Sequence, residues 1–357
     1  MMRLAAEIRV DALHDSEQIC RLVNGVWAAQ YADAAVLPKW TPEFFDWQFL
    51  RVPDAWPAIC LGVYRGAELV GIFCGDCWSL RMDGRETRAT LLSCVSVSAN
   101  ARHPAVAEAG LNGLREWSER LGSEYFVGFV NPASSHAAGR RYWTTRRGYA
   151  HAFSKLCRQW QINPMSVPDG AGAMGGPDEG DKGGEGGEGG EGGEGGEGDE
   201  GASGDLDAAV ALLKARLHAP ANDGIATLSC PETRLRHQLS FDRIARTVVV
   251  EERGRIGVCS FYILPMHGEG HVGLFDFIAS SDADDMLADK AFARAIAAMK
   301  KSRCHRAFVL GSPNHDDALL ERLGFHPCFP TYAPLIVSWD KSRPMPKEGA
   351  FCSPIYR

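Results

Sequence analysis

Asp15 and Ser16 precede a segment whose apolar positions, Ile19, Leu22, Val23 and Val26, recur at intervals of three and four, the pattern of a capped amphipathic helix. Thr41-Pro42 places a capping hydroxyl and a first-turn proline before Phe44, Phe45, Trp47 and Phe49, which predicts a second, short helix. The pattern then changes to apolar runs. Residues 59–64 and 69–77 flank Arg65-Gly66-Ala67-Glu68, a hairpin signal, and the turn Met82-Asp83-Gly84-Arg85 leads to a third run at 89–98. A helix over 104–121 offers Val106, Leu111, Leu114 and Leu121 to a core, and Gly122 stops it. A strand at 125–130, a helix over 133–147 and a strand at 152–161 come next.

The order then repeats in shorter form. After a helix at 207–217, runs at 247–252 and 256–264 flank Arg253-Gly254-Arg255, a second hairpin signal. A run at 271–279, a helix at 285–302, a strand at 307–311, a helix at 315–323 and a strand at 335–339 complete it. The pattern predicts one α/β architecture with a mixed sheet, occurring twice.

Between the halves lie five consecutive Gly-Gly-Glu triplets, ending at Glu185, Glu188, Glu191, Glu194 and Glu197. With almost nothing apolar to bury, residues 165–205 are expected to be a disordered linker between a domain at 1–164 and a domain at 206–340, with a tail at 341–357. The 357 residues, 45% of them hydrophobic, suffice for two domains with their own cores.

Charge sharpens this division. Residues 178–207 carry 12 acidic side chains and one lysine, a local charge of −11 against −7 for the whole chain, so the remainder sums to +4. That mild surplus is too small for a nucleic-acid groove and suits a small anionic ligand better. No apolar run approaches the length of a membrane span, and Arg3, Glu7 and Arg9 interrupt the start, so a cytoplasmic protein is expected. The 11 cysteines, an odd number scattered through strand-like runs, read as reduced core thiols. Cys74 and Cys77 form a C-x-x-C pair, but in a strand residues three apart face opposite sides, against a shared metal or disulfide.

Three places in the chain resemble the Gcn5-related N-acetyltransferase (GNAT) superfamily. They are the Arg65-Gly66-Ala67-Glu68-Leu69-Val70-Gly71 hairpin with its echo at Arg253-Gly254-Arg255-Ile256-Gly257, the stretch Cys94-Val95-Ser96-Val97-Ser98 followed by residues 99–107, and an Asn after the fifth strand with a Gly-aromatic pair beyond it. The last is Asn131 with Gly148-Tyr149, and Asn314 with Gly324-Phe325. The resemblance covers both halves and implies two tandem acyl-CoA N-acyltransferase-like domains.

The resemblance further implies that an acyl group is moved from acetyl-CoA or another acyl-CoA to the amine of a small molecule or peptide. No metal, nucleic acid or membrane span enters this expectation. A coenzyme A pyrophosphate calls for backbone N–H groups at a helix start. The matching loop is Arg102-His103-Pro104-Ala105-Val106-Ala107, with alanine where the family prefers glycine; alanine permits a helical start but not positive φ. Val95, Val97, Arg102, His103, Ala105, Ala107 and Asn131 are the cofactor-binding residues so implied. The second half carries Asp282, Asp284 and Asp285 at this place and no basic residue, so it is expected to be a degenerate copy.

The family's usual acid, a tyrosine four residues before the Gly of the Gly-aromatic pair, falls on Thr144 and Leu320. Tyr142 and Tyr125 are alternative acids, and Glu86, Asp76, Glu124 and His136 are candidate bases that the sequence does not rank. A non-catalytic acyl-CoA-binding or scaffolding double domain, and a FemAB-like aminoacyl transferase of cell-wall precursors, are the alternatives to an acyltransferase.

Overall fold

The computed structural model describes residues 8–31, 37–82, 84–130, 143, 149–153, 157–168, 203–217, 226–241, 244–282, 285–311, 317–346 and 351–352. The local signals act as expected. The Asp15 carboxylate accepts the Gln18 N–H at 3.0 Å and starts α1, Ser16–Gln30, while Thr41 caps α2, Pro42–Phe45, which runs on into a π turn at Asp46–Leu50. β1 (Ile8–Ala12) pairs with β2 (Ala58–Arg65). Gly66, at φ 62°, turns β2 into β3 (Glu68–Met82), and β4 (Arg85–Val97) completes four antiparallel strands. α3 (Pro104–Arg120) ends at Gly122, whose φ of 72° suits the left-handed end of a helix, and β5 (Ser123–Val130) returns parallel to β4.

The expected strand at 152–161 divides into β6 (Ala150–Phe153) and β7 (Cys157–Ile162), with residues 154–156 outside the described chain. The later elements are α4 (Ser203–Leu217), β8 (Ala226–Ser229), α5 (Glu232–Ser240), β9 (Ala245–Glu252), β10 (Arg255–Pro265), β11 (His271–Ser280), α6 (Met286–Lys301), β12 (Cys304–Leu310), α7 (Asp317–Arg322), β13 (His326–Ser338) and β14 (Phe351–Cys352).

The halves exchange their last strands. β7, from the first half, lies between β12 and the beginning of β13, while residues 333–338 at the end of β13 lie between β5 and β6. Two mixed sheets therefore join through β13, in the order β1-β2-β3-β4-β5-β13-β7-β12-β11-β10-β9. The core is continuous too: Trp78, Leu91 and Val127 of the first half share a cluster with Leu213, Leu228, Val258 and Phe277 of the second. Cys74 and Cys77 lie in separate clusters on the two faces of β3, as their spacing predicts.

A buried polar chain crosses this junction. Trp78 Nε1 donates to Asp76 Oδ2 at 2.6 Å, and the Arg234 guanidinium lies 3.9 Å from the same oxygen while donating to Gln48 Oε1 at 3.0 Å. Gln48 donates to Gln238, which donates to Asp276 at 2.8 Å. Beside it, His237 Nε2 donates to the Trp47 carbonyl at 2.7 Å, and burial holds the imidazole pKa below its ordinary 6.5. The fold thus favours the neutral ring: its stabilising contribution is complete above pH 6.5 and is lost as pH falls through the depressed folded value. Urea midpoints measured between about pH 7.5 and 5 should decline toward acid, and His237→Gln should flatten the decline.

Two glycines let helices sit on strands. A Cβ on Gly110 of α3 would stand 2.3 Å from the Phe73 ring, and one on Gly257 of β10 would stand 2.1 Å from the Leu287 carbonyl oxygen of α6. Backbone cannot swing aside as a ring can, so Gly257→Ala should cost about 1–3 kcal/mol or more in a denaturant titration. Gly110→Ala should cost less.

Candidate functional site

β4 and β5 pair from Arg88↔Ser123 to Leu91↔Val127 and no further, although β4 continues to Val97 and β5 to Val130. A wedge opens between them, walled by residues 92–97 on one side and 128–130 on the other. Its cause is local. Ile72 and Cys74 of β3 stand opposite Ser96 and Ser93, so β4 carries one residue more than its partner, and Cys94 takes a φ of 50°. Such a bulge bends and twists its strand. Beyond it Val95 is 46% exposed, whereas Ser96 turns inward and its Oγ accepts from Trp27 Nε1 at 3.1 Å. That bond fixes the last turns of α1 beside β4. On the opposite wall Gly128 contributes no side chain; a Cβ there would lie 3.8 Å from Leu92.

The loop at the wedge's mouth carries the other expected residues. Val97 ends β4, and a 3₁₀ turn at Ala99–Ala101 leads to Arg102 and to His103, the N-cap of α3. Arg102 is exposed, its guanidinium donating to Gln30 Oε1 of α1 at 3.3 Å. The N–H groups are partly committed: His103 N–H donates to the Ala101 carbonyl at 2.7 Å, Pro104 has none, and Ala105 N–H donates to the His103 ring at 3.2 Å. Ala105 and Ala107 are half-buried in the first turn of α3. The loop thus places one exposed guanidinium beside a helix start, and the Ala105 donor is released only when the exposed His103 ring moves away. Asn131 lies outside the described residues, as do Tyr142, Thr144, His136 and Asn314.

In the second half the corresponding place is filled from within. β11 and β12 also part, after Leu274↔Phe308, and Asp276 is the extra residue of the β11 bulge. There, however, Phe275 packs against Phe261, Phe292 and Phe325 at ring separations of 6.0, 5.4 and 5.6 Å. At the start of α6, Asp282 Oδ2 accepts the Met286 N–H at 2.9 Å, and Asp285 pairs with Arg216 at 3.6 Å and Arg322 at 3.8 Å. Arg322 also pairs with Asp289, whose carboxyl burial pushes up and the guanidinium pulls down. These carboxylates hold the position an anion would take, Asp285 and Asp289 paired with arginine and Asp282 with a backbone N–H.

The candidate acids and bases among the described residues are engaged or distant. Glu86 is exposed near the β3–β4 turn, away from the wedge. Glu124 accepts from Thr87 and pairs with Arg343 at 2.9 Å. Tyr125 donates to the Pro344 carbonyl at 2.8 Å, and burial raises its pKa. Asp76 belongs to the buried chain described above. Sequence reasoning missed Trp27, Gln30, Leu92 and Gly128, which look like ordinary helix and strand residues until the wedge brings them together.

No family model matches the chain, and no curated protein matches it in sequence. Solved structures do match in fold. N-myristoyltransferase from Saccharomyces cerevisiae, with bound myristoyl-CoA, superposes with a TM-score of 0.65 at 15% identity, over 96% of this chain and 85% of that one. A tandem GNAT protein from the clavulanic acid biosynthesis pathway superposes with a TM-score of 0.52 at 12% identity, over 93% and 98%. The fold is therefore a tandem GNAT-like one, mixed α/β, as the resemblance implied. Among the described residues no helix is long and apolar enough to cross a membrane.

Proposed function

We propose that the β4–β5 wedge binds an acyl-CoA thioester and that the protein transfers its acyl group to an amine. The observation that carries this reading is the parting of β4 and β5 after Leu91 and Val127, with Arg102 and the start of α3 at its mouth. Both named structural neighbours are acyltransferase-type proteins, one of them holding myristoyl-CoA. A thioester supplies an activated carbonyl and a thiolate that leaves readily. The chain's part is to hold it: residues 92–97 of β4 offer backbone groups that β5 does not pair, Arg102 meets phosphate charge, and the buried vertex excludes water.

Calorimetric titration of the full chain with acetyl-CoA tests this, with Arg102→Glu beside it. Reversing one charge-assisted contact, worth about 1.5–3 kcal/mol, should weaken binding roughly tenfold to a hundredfold. The difference should shrink in high salt, and the melting midpoint without ligand should hold. Unchanged affinity would place the anion elsewhere. A second reading, acyl-CoA binding without catalysis, draws support from the engaged state of Asp76, Glu124 and Tyr125. Turnover of acetyl-CoA with a panel of amines separates the two.

A further inference from the structure

We propose that Leu92 and Gly128 gauge the acyl group, so that the wedge takes short-chain thioesters and refuses long ones; this rests on reading the wedge as the acyl-CoA site. The strands meet at Leu91 and Val127, and below that vertex the described side chains are buried in packed core on both faces. Toward the second half, Ala89, Leu91, Tyr125 and Val127 are all buried in the core cluster that includes Trp78 and Ile336. Toward α3, Phe126 is buried with Leu111 and Leu114. An acyl chain directed along the strands would have to displace close-packed core.

The two residues just past the vertex set what remains. Leu92 belongs to the α3-side packing and stands in van der Waals reach of Gly128 across the gap, leaving room bounded by one leucine and one bare backbone. The molecule contains its own control. In the second half the same two positions, one residue past the last parallel pair, hold Phe275 and Val309. Both are buried, with Phe275 in the Phe261, Phe292 and Phe325 cluster, so among the described residues bulky side chains fill this place. Side-chain bulk at this pair thus differs between the halves, Leu92 and Gly128 against Phe275 and Val309, and with packed core beneath the vertex an acyl group would have only the place that Leu92 and Gly128 border, which suits an acetyl group better than a long chain.

Full-length protein titrated with coenzyme A, acetyl-CoA, butyryl-CoA and octanoyl-CoA, each below its micellar concentration, tests the proposal. Octanoyl-CoA should bind at least tenfold more weakly than acetyl-CoA, since a pocket of fixed volume discriminates by about tenfold or more per misfitting group. Leu92→Ala should raise octanoyl-CoA affinity relative to acetyl-CoA at least fivefold. Gly128→Val, which copies Val309 and whose Cβ meets only ordinary contact with Leu92, should lose acetyl-CoA affinity at least tenfold while melting within a few degrees of the parent. Equal affinity for acetyl- and octanoyl-CoA, or an unchanged ratio in Leu92→Ala, with coenzyme A still bound, overturns the gauge alone. Failure of coenzyme A and every thioester to bind overturns the cleft reading and the gauge with it.

Discussion

Arg234→Met should destabilise the protein by about 3–5 kcal/mol, because it leaves Asp76 buried without the cation beside it. Arg234 and Asp76 are both fully buried, and Arg234 also donates to the Gln48 side chain and backbone. Adding Asp76→Asn, which keeps an acceptor for Trp78 Nε1, should recover part of that loss by removing the stranded charge. Denaturant titrations of the single and double variants measure both effects. A single-variant cost below about 1 kcal/mol would mean that water or rearrangement restores the pairing, and the chain across the junction would not hold the halves together.

Residues 1–168 expressed alone should fail to give a soluble, cooperatively folding protein. In this fragment β5 loses residues 333–337 of β13 along its edge, and β7 has no sheet to enter. The exposed β5 edge and apolar face of β3 are templates for aggregation. Co-expression with residues 203–357 should restore a soluble pair. A full chain cut at a protease site engineered among the Gly-Gly-Glu triplets should leave two pieces that co-elute until denaturant is added. A monomeric 1–168 fragment with a sharp thermal transition would show that the exchanged strand is dispensable.

Where the governing forces were local, the sequence was sufficient. The caps at Asp15 and Thr41, the turns at Gly66 and Gly254, the helix end at Gly122 and the repeated order of elements all depend on near neighbours in the chain. The strand exchange does not, since 152–161 reads as a single run and only sheet pairing distributes it between two sheets. α5 escaped notice because two of its four inward residues, Arg234 and Gln238, are polar and break the apolar period. β13 was expected only over 335–339 but begins at His326, with Pro327 and Pro334 in pairing positions opposite Trp160 and Phe129, where a strand pattern does not lead one to look for proline.

The site was legible in part. The loop at Arg102 was found through its likeness to a phosphate-binding pattern, and the acidic character of its counterpart marked the second copy as altered. The partial commitment of the Ala105 donor to the His103 ring, and the Arg216 and Arg322 pairs that neutralise Asp285, are matters of side-chain placement, and the two arginines lie far from Asp285 in the chain. The wedge itself rests on one extra residue in β4 and on a glycine in β5, features that a strand pattern carries without announcing.

Amide hydrogen exchange on the full chain, with and without saturating acetyl-CoA, is the sharpest test of the wedge as a thioester site. β5 pairs with β4 only as far as Leu91, so a thioester lying beside residues 92–97 should slow their exchange sharply. New protection is expected across residues 92–107 and 128–130, with residues 275–289 and 309–311 unchanged. Protection centred on 275–289, or none in either half, would show that the wedge is not where the thioester binds.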